Sequence, residues 1–422
     1  MSWNNITVGD LVERAEAEVK TGPFGTQLRA SDYVETGTPV INVRNIGFGN
    51  IRHDKLEYIP DDVVTRLSGH LLRKGDIVFG RKGAVERHVY ITDAQNRWFQ
   101  GSDCLRLRLL SEANVLSKYL SFTFLTHEHQ SWMMQQCSHG ATMASLNQDI
   151  IKRIPLRLPS IEQQKIIVDI LSTYDDLIEN NTRRIDILEE MARLLYEEWF
   201  VHFRFPGHED VSFKESELGE IPEGWEVCKL IDLVDFIGGA QPPKSQHIYE
   251  AKEGYVRFVQ NRDYRSDGYL TYIPESKRNK ICGRLDILVD KYGEAGKARF
   301  GIAGAYNVAL AKIVPKNESY REWLRGFLSM TQTQEYLLGA SQAATRPSLN
   351  KGHFNFPVVR PSESVAERFG HQVLPMLKLM LALKDKTANL RAQRDLLLPK
   401  LVSGEIDVSE IPMPDDKEVE AA

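Results

Sequence analysis

The chain of 422 residues has only four cysteines, Cys104, Cys137, Cys228 and Cys282, scattered and without a Cys-x-x-Cys pair. That excludes a disulfide framework and a zinc ribbon, and the thiols read as reduced and cytoplasmic. No apolar run approaches the roughly 20 residues that span a bilayer. Met1-Ser-Trp-Asn-Asn lacks the basic-then-apolar start of a signal peptide. Neither a membrane protein nor a secreted one is expected. The eleven histidines show no metal-ligand spacing. A Walker loop is missing, and Gly47-Phe-Gly49 lacks the third glycine of a dinucleotide fingerprint. The Asn/Asp-Pro-Pro-aromatic tetrapeptide of amine methyltransferases is also missing, with Asn355-Phe-Pro357 the nearest approach. The expectation is a non-catalytic binding protein that holds no metal or cofactor of its own.

What the chain does have is itself, twice. Trp3, Val8, Asp10, Leu11 and Val12 return 222 positions later as Trp225, Leu230, Asp232, Leu233 and Val234. Asp76-Ile-Val-Phe-Gly-Arg-Lys-Gly83 returns as Asp286-Ile-Leu-Val-Asp-Lys-Tyr-Gly293. Thr142, Ser145, Leu146 and Asn147 return as Thr345, Ser348, Leu349 and Asn350, and Pro159-Ser160 as Pro361-Ser362. The order is preserved throughout. A two-copy repeat of long period is not a solenoid. It describes a pseudo-symmetric molecule with two similar but unequal surfaces, whose target should have two unequal halves.

Net charge is −5, which at first sight argues against a polyanion as partner. Divided by segment, the charge tells another story. Residues 1–158 carry 19 Lys/Arg against 17 Asp/Glu, and residues 225–360 carry 20 against 14. Segments 159–205, 206–224 and 361–422 are acidic, at −5, −5 and −3. Basic globular parts suit phosphates, and acidic connectors suit other proteins.

Each repeat has a mixed part and then a helical part. The mixed parts carry short β-branched and aromatic runs such as Pro39–Arg44, Asp76–Phe79, Tyr255–Val259 and Asp286–Val289, separated by turns. From Ile167, a seam in alternating steps of four and three runs through Leu171, Tyr174, Ile178, Asn181, Ile185, Leu188, Ala192, Leu195 and Trp199, apolar at every position but Asn181. This is a heptad seam. Its counterpart runs through Phe369, Val373, Met376, Met380, Leu383, Thr387, Leu390, Arg394, Leu397 and Leu401. The fold class expected is α+β: two tandem, pseudo-symmetric mixed α/β domains joined by two long helices forming an antiparallel coiled coil. The boundaries are 1–158 for the first domain, 159–205 for the central helix and 206–224 for a linker. Then come 225–360 for the second domain, 361–404 for the C-terminal helix and 405–422 for a disordered tail. A helix over 161–200 would be about 60 Å long. Asn181 reads as a register device, and Pro375 should kink or break the second helix.

Residues suited to reading a nucleic acid recur in both repeats. Arg44-Asn45 and Gln260-Asn261-Arg262 end matching strands; Arg reads guanine, and Asn or Gln reads adenine, in the major groove. Arg81-Lys82 and Lys291-Tyr292 precede the glycines of matching turns, where backbone can approach a phosphate. These nine residues are the candidate DNA contacts. The seam residues Ile167, Leu171, Ile178, Asn181, Leu188, Leu195, Phe369, Val373, Leu383, Leu390 and Leu397 are the candidates for helix pairing and partner docking.

Several motifs occur together in one order: Gly75-Asp-Ile-Val-Phe79, Ser145-Leu-Asn147, Pro155-Leu-Arg-Leu-Pro159, Glu162-Gln-Gln164, Leu218-Gly-Glu-Ile-Pro-Glu-Gly-Trp225 and Leu397-Leu-Pro-Lys-Leu-Val-Ser-Gly-Glu405. In these the chain resembles, over nearly its whole length, the specificity subunits of Type I restriction–modification enzymes. It departs in having Glu363-Ser-Val-Ala-Glu367 where the first repeat has Glu162-Gln-Gln164. The resemblance implies two target-recognition domains, each reading half of a bipartite double-stranded DNA site. The helices would set the gap and dock two methyltransferase subunits, which bring S-adenosylmethionine. Motor–nuclease subunits, using ATP and magnesium, would join for restriction.

Two other readings stay open. A structural adaptor would use the coiled coil and repeats to join proteins or glycans, and its binding would not fall steeply with salt as DNA binding does. A metal-dependent nuclease would centre on Asp235, Glu250 and Lys252, whose spacing matches loosely.

Overall fold

The computed structural model describes residues 3–110, 113–137, 144–266, 268–342 and 348–411. Thr142 and Thr345 of the repeat, and residues 412–422 of the expected tail, lie outside the described residues. The chain divides into two compact units, Met1–Glu179 with Thr387–Ala422, and Asn180–Lys386. Each unit therefore contains one mixed repeat together with part of each long helix.

In the first unit, Thr7 opens a short helix, Val8–Glu13, with a reciprocal cap. Its hydroxyl accepts from the Asp10 N–H at 3.2 Å, and the Asp10 carboxylate accepts from the Thr7 N–H at 2.6 Å. Strand Asn4–Thr7 pairs antiparallel with Pro155–Leu158, in which Leu156 and Leu158 are buried and Pro155 and Arg157 exposed. This is the period-two pattern of a one-sided strand. A five-stranded sheet runs in the order Ala17–Thr21, Cys104–Leu109, Ile77–Gly80, His88–Tyr90, Phe48–Gly49. A three-stranded sheet has Glu57–Ile59, Thr38–Ile41 and Phe99–Gln100. Asp76, buried at the start of its strand, accepts from Arg108 Nε and Nη2 at 2.7 and 2.6 Å and from the Arg73 N–H at 2.7 Å.

The second unit repeats these devices with other residues. Glu226–Lys229 pairs with Pro357–Arg360, and two four-stranded sheets follow. Leu230 N–H donates to Phe356 O at 3.0 Å, as Val8 N–H does to Ile154 O at 3.1 Å. Asp286 accepts from Gly283 N–H at 2.8 Å and from Lys312 Nζ at 3.2 Å, matching the roles of Asp76. The duplication in the sequence is thus a duplication of hydrogen bonds as well as of residues.

The two long helices are Ile161–Tyr196 and Glu363–Ser403, of 36 and 41 residues, about 54 and 61 Å at roughly 1.5 Å per residue. They pack together and run antiparallel. In the first unit Asp175 pairs with Arg394 at 2.8 Å, and in the second Glu189 pairs with Lys384 at 2.9 Å. The seam carries the contact. Ile167, Leu171, Ile178, Asn181 and Ile185 are buried on one helix, with Trp199 in the π-helical turn Glu197–Val201 that continues it, and Phe369, Val373, Met380, Leu383, Thr387 and Leu401 on the other. Leu188, Leu195, Leu390 and Leu397 are half-buried. Each fully buried Leu or Ile contributes about 1.5–3 kcal/mol.

Three expectations need correcting. The break at Pro375 is not there, since Glu363–Ser403 is one helix. Pro375 and His371, whose carbonyl loses its amide partner, both lie on the exposed side, where water can replace the missing bond. The segment 206–224 is no slack linker. It holds an antiparallel hairpin, Phe213–Ser216 with Gly219–Pro222, and buries Ile221. Next to it Phe205 stacks on the buried Trp225 at 5.3 Å. Residues 405–411, expected as the start of a disordered tail, bury Val408, and Ser409 accepts from Gln163 Nε2 at 2.8 Å. Alternating apolar residues, Ile406 and Val408, give this stretch something to bury.

Candidate nucleic-acid interface

Each strand that ends in a candidate cluster leads into a 3₁₀ turn closed in the same way. Asn42 N–H donates to Asn45 Oδ1, and Gln260 N–H to Asp263 Oδ2, both at 3.1 Å. Asn45 and Asp263 are therefore counterparts, and so are Arg44 and Arg262 one position earlier. Asn45 cannot read a base. It is fully buried, and its amide donates to the carbonyls of Arg52 and Asp54 at 3.0 and 3.1 Å. Both of its polar ends are consumed in shaping the loop. Arg44 and Arg262 are exposed, Gln260 and Asn261 half-buried.

The second candidate cluster sits on a neighbouring loop in each unit. In the first, Val43 Cγ1 lies 3.3 Å from where a β-carbon would stand at Gly80, the residue before Arg81. The Arg87 guanidinium lies 5.1 Å from the centre of the exposed Phe48 ring, joining the same two loops. In the second, Arg265 donates to Glu294 at 2.9 Å, and the Arg299 guanidinium lies 5.5 Å from the Tyr264 ring centre. The structure thus sets the turn that carries Arg44 beside the loop that carries Arg81 and Lys82, and the turn of Gln260, Asn261 and Arg262 beside the loop of Lys291 and Tyr292. Gly83 and Gly293 have φ of +77° and +76°, the left-handed conformation that glycine adopts without cost.

The repeated Ser-Leu-Asn motif braces these turns. Leu146 N–H donates to Arg81 O at 2.8 Å, and Leu349 N–H to Lys291 O at 2.9 Å. Leu146 and Leu349 are fully buried, while Asn147 Oδ1 accepts from Ile150 N–H and Asn350 Oδ1 from Gly352 N–H, each at 2.9 Å. The motif positions the candidate loop from behind.

The charged groups are not all free. Arg44 pairs with Glu57 at 2.7 Å, and Lys82 with Asp103 at 3.6 Å. Glu294 accepts from Arg265, Lys297 and Arg299, and these bonds hold its carboxyl down to about 2, with that of Arg265 the largest cause. Lys291 Nζ lies 5.7 Å from the centre of the exposed Tyr292 ring. Glu57, Phe48, Arg87, Arg265, Tyr269 and Glu294 belong to these surfaces and escaped the reading of the sequence. A polar loop residue leaves no periodic signal, so only their fold neighbours reveal them. The loose carboxylate–lysine pattern finds other partners: Asp235 pairs with Lys351 at 3.7 Å, and Lys252 lies over Tyr255 at 5.6 Å. Among the described residues no group of three His, Cys, Asp or Glu is placed to hold a metal ion, and no helix is long and apolar enough to cross a membrane.

Residues 2–190 match the family model of the Type I restriction modification DNA specificity domain. The chain is 27% identical over 362 residues to the Type I restriction enzyme MjaIX specificity subunit of Methanocaldococcus jannaschii, covering 84% of this chain and 82% of the relative. It is 22% identical over 437 aligned positions to the HindI specificity subunit of Haemophilus influenzae, covering 86% and 94%. Its fold is similar to the crystal structure of a Type I restriction–modification S subunit from M. genitalium, with a TM-score of 0.64, 15% identity and coverage of 94% and 96%. Residues 2–190 thus carry the Type I restriction modification DNA specificity domain, and over most of its length the chain is similar to specificity subunits of Type I restriction enzymes.

Proposed function

We propose that each unit reads one half of a bipartite, asymmetric DNA site through its paired loops. In this reading Arg44, Arg81 and Lys82 serve one half, and Gln260, Asn261, Arg262, Lys291 and Tyr292 the other. The observation that carries this reading is the pairing itself. In both units the strand-end turn and the glycine turn, far apart in sequence, lie on adjacent loops, with Arg44, Lys82 and Arg262 exposed and Arg81 and Lys291 half-buried. The side chains differ between the units while the backbone devices agree, as unequal half-sites require. The helices set the spacer and dock two methyltransferase subunits. An open apolar face on the central helix, Ile187, Met191 and Leu194 at 46–49% exposure, supports docking, because residues in steps of four and three share one face. S-adenosylmethionine comes with the methyltransferase subunits, and ATP with magnesium comes with the motor–nuclease subunits.

The test is single-molecule sequencing for N6-methyladenine in a methylation-free host carrying this chain with its neighbouring methyltransferase gene, and either gene alone. A bipartite motif appearing only with both genes is the expected result. No new methylation from two expressed, co-purifying proteins would favour the adaptor reading.

A further inference from the structure

The counterpart arginines, Arg44 and Arg262, leave the same kind of turn, yet they are seated differently. Arg44 faces a carboxylate: Glu57 Oε1 is 2.7 Å away, and the other oxygen of Glu57 accepts from Asn42 Nδ2 at 2.6 Å. To reach a base, Arg44 must leave that carboxylate or bring it along. Arg262 is held mainly by neutral groups. Its Nη2 donates to Thr271 Oγ1 at 3.3 Å, and its guanidinium lies 5.9 Å from the centre of the Tyr269 ring. A carboxylate stands farther off, Asp263 Oδ1 at 3.8 Å from Nε, while its Oδ2 accepts from the Gln260 N–H. Thr271 is buried, and its carbonyl accepts from Phe258 N–H at 2.7 Å, so the seat is anchored in the sheet. Tyr269 is 76% exposed, so its ring serves no core.

We propose that Arg262 is a specificity-determining residue that reads a guanine in the half-site of the second unit, with Tyr269 as its positioning residue. This rests on the function proposed above. A guanidinium laid against an aromatic ring keeps its plane fixed and its outer edge free, which suits a bidentate bond to guanine O6 and N7. Thr271 fixes the rotation of that plane. Lysine cannot take this seat, because it has neither a plane nor a fork. Half of the Arg262 side chain remains open to solvent, as a reader of base edges needs.

The test compares the wild-type chain, co-expressed with its methyltransferase, with R262K, R262Q, Y269F and Y269L, reading the methylated motif and its occupancy by sequencing. Expected is a guanine in the second half-site at which R262K and R262Q lose about tenfold or more of the discrimination. Y269F keeps the wild-type motif, because the ring survives, and Y269L relaxes the same position. The first half-site and spacer stay unchanged in every variant, which also shows that the variants fold. An unchanged motif with R262Q overturns the assignment alone. So does a uniform loss of methylation at all sites, which would make Arg262 a phosphate contact. Damage by Y269F equal to that by Y269L would overturn the role of the ring. No motif from the wild-type chain would overturn the proposed function and this assignment with it.

Discussion

Arg265 and Glu294 join two loops of the second unit at 2.9 Å, and Glu294 holds Lys297 and Arg299 as well. One carboxylate therefore restrains three cations beside the candidate readers. Replacing it should separate two properties that a DNA-binding surface normally combines. In E294A the freed Arg265 and Lys297 raise affinity for unrelated duplex, Arg299 keeping Asp290 at 2.8 Å, while the loosened loop lowers discrimination in the second half-site. Fluorescence anisotropy of the methyltransferase complex on cognate and unrelated duplexes, at two salt concentrations, checks this. Equal affinities in wild type and variant on both duplexes would detach the network from DNA reading.

Asn181 is buried in the helix seam, and its Nδ2 has no hydrogen-bond partner among the described atoms. A buried donor left unpaired costs about 1–3 kcal/mol, which an apolar residue would not incur. N181L should therefore raise the melting temperature of the chain. If Asn181 fixes register, the gain brings a loss, with methylated motifs of more than one spacer length appearing in N181L. A single, wild-type spacer with raised stability would show that the amide is only a cost.

The first unit contains two buried imidazoles. His88 is wholly buried with Nε2 2.9 Å from Ser121 Oγ, and His129 stacks on Phe124 at 4.5 Å. Burial pushes each down to about 3, helped at His88 by the charges of His129 and Lys118. A free imidazole titrates near 6.5, so below that pH the unfolded chain takes up protons that the folded chain refuses. The stability is complete above about 6.5 and is lost as pH falls toward about 3. Calorimetry should find a melting temperature flat from pH 7 to 8 and falling from pH 6 to 5, before most carboxylates titrate. H129F, which keeps a ring against Phe124, should shrink that slope. A slope unchanged in H129F would place its origin elsewhere.

The helices and the duplication were legible in the sequence, because seam and repeat are periodic or collinear signals that burial enforces. The candidate interface was legible only in part. Arg44 and Asn45 are adjacent polar residues, yet one is exposed and the other fully buried, a difference set by the three-residue reach from Asn42 to Asn45. The same reach from Gln260 to Asp263 was present in the sequence and would have singled out the two arginines as counterparts. Tyr269 could not be found that way, since its role depends on Arg262 and Thr271 meeting it through the fold. The break expected at Pro375 is absent where the lost hydrogen bond lies on the exposed side, and sequence alone does not show which side of a helix faces water.

If the helices act as a ruler, their length should be written in the DNA. Four residues inserted into the 167–199 seam add about 6 Å, or one turn, to the central helix. DNA rises about 3.4 Å per base pair, so the change corresponds to about two base pairs. The insertion keeps the apolar stripe nearly in phase, because four residues turn the helix only about 40° past a full turn. Folding should therefore survive while the preferred spacer lengthens or methylation stops. Sequencing of methylated motifs in the variant measures the spacer directly, and co-purification with the methyltransferase shows that docking persists. Undiminished methylation at the original spacer would separate the helices from the spacing and leave them a docking role alone.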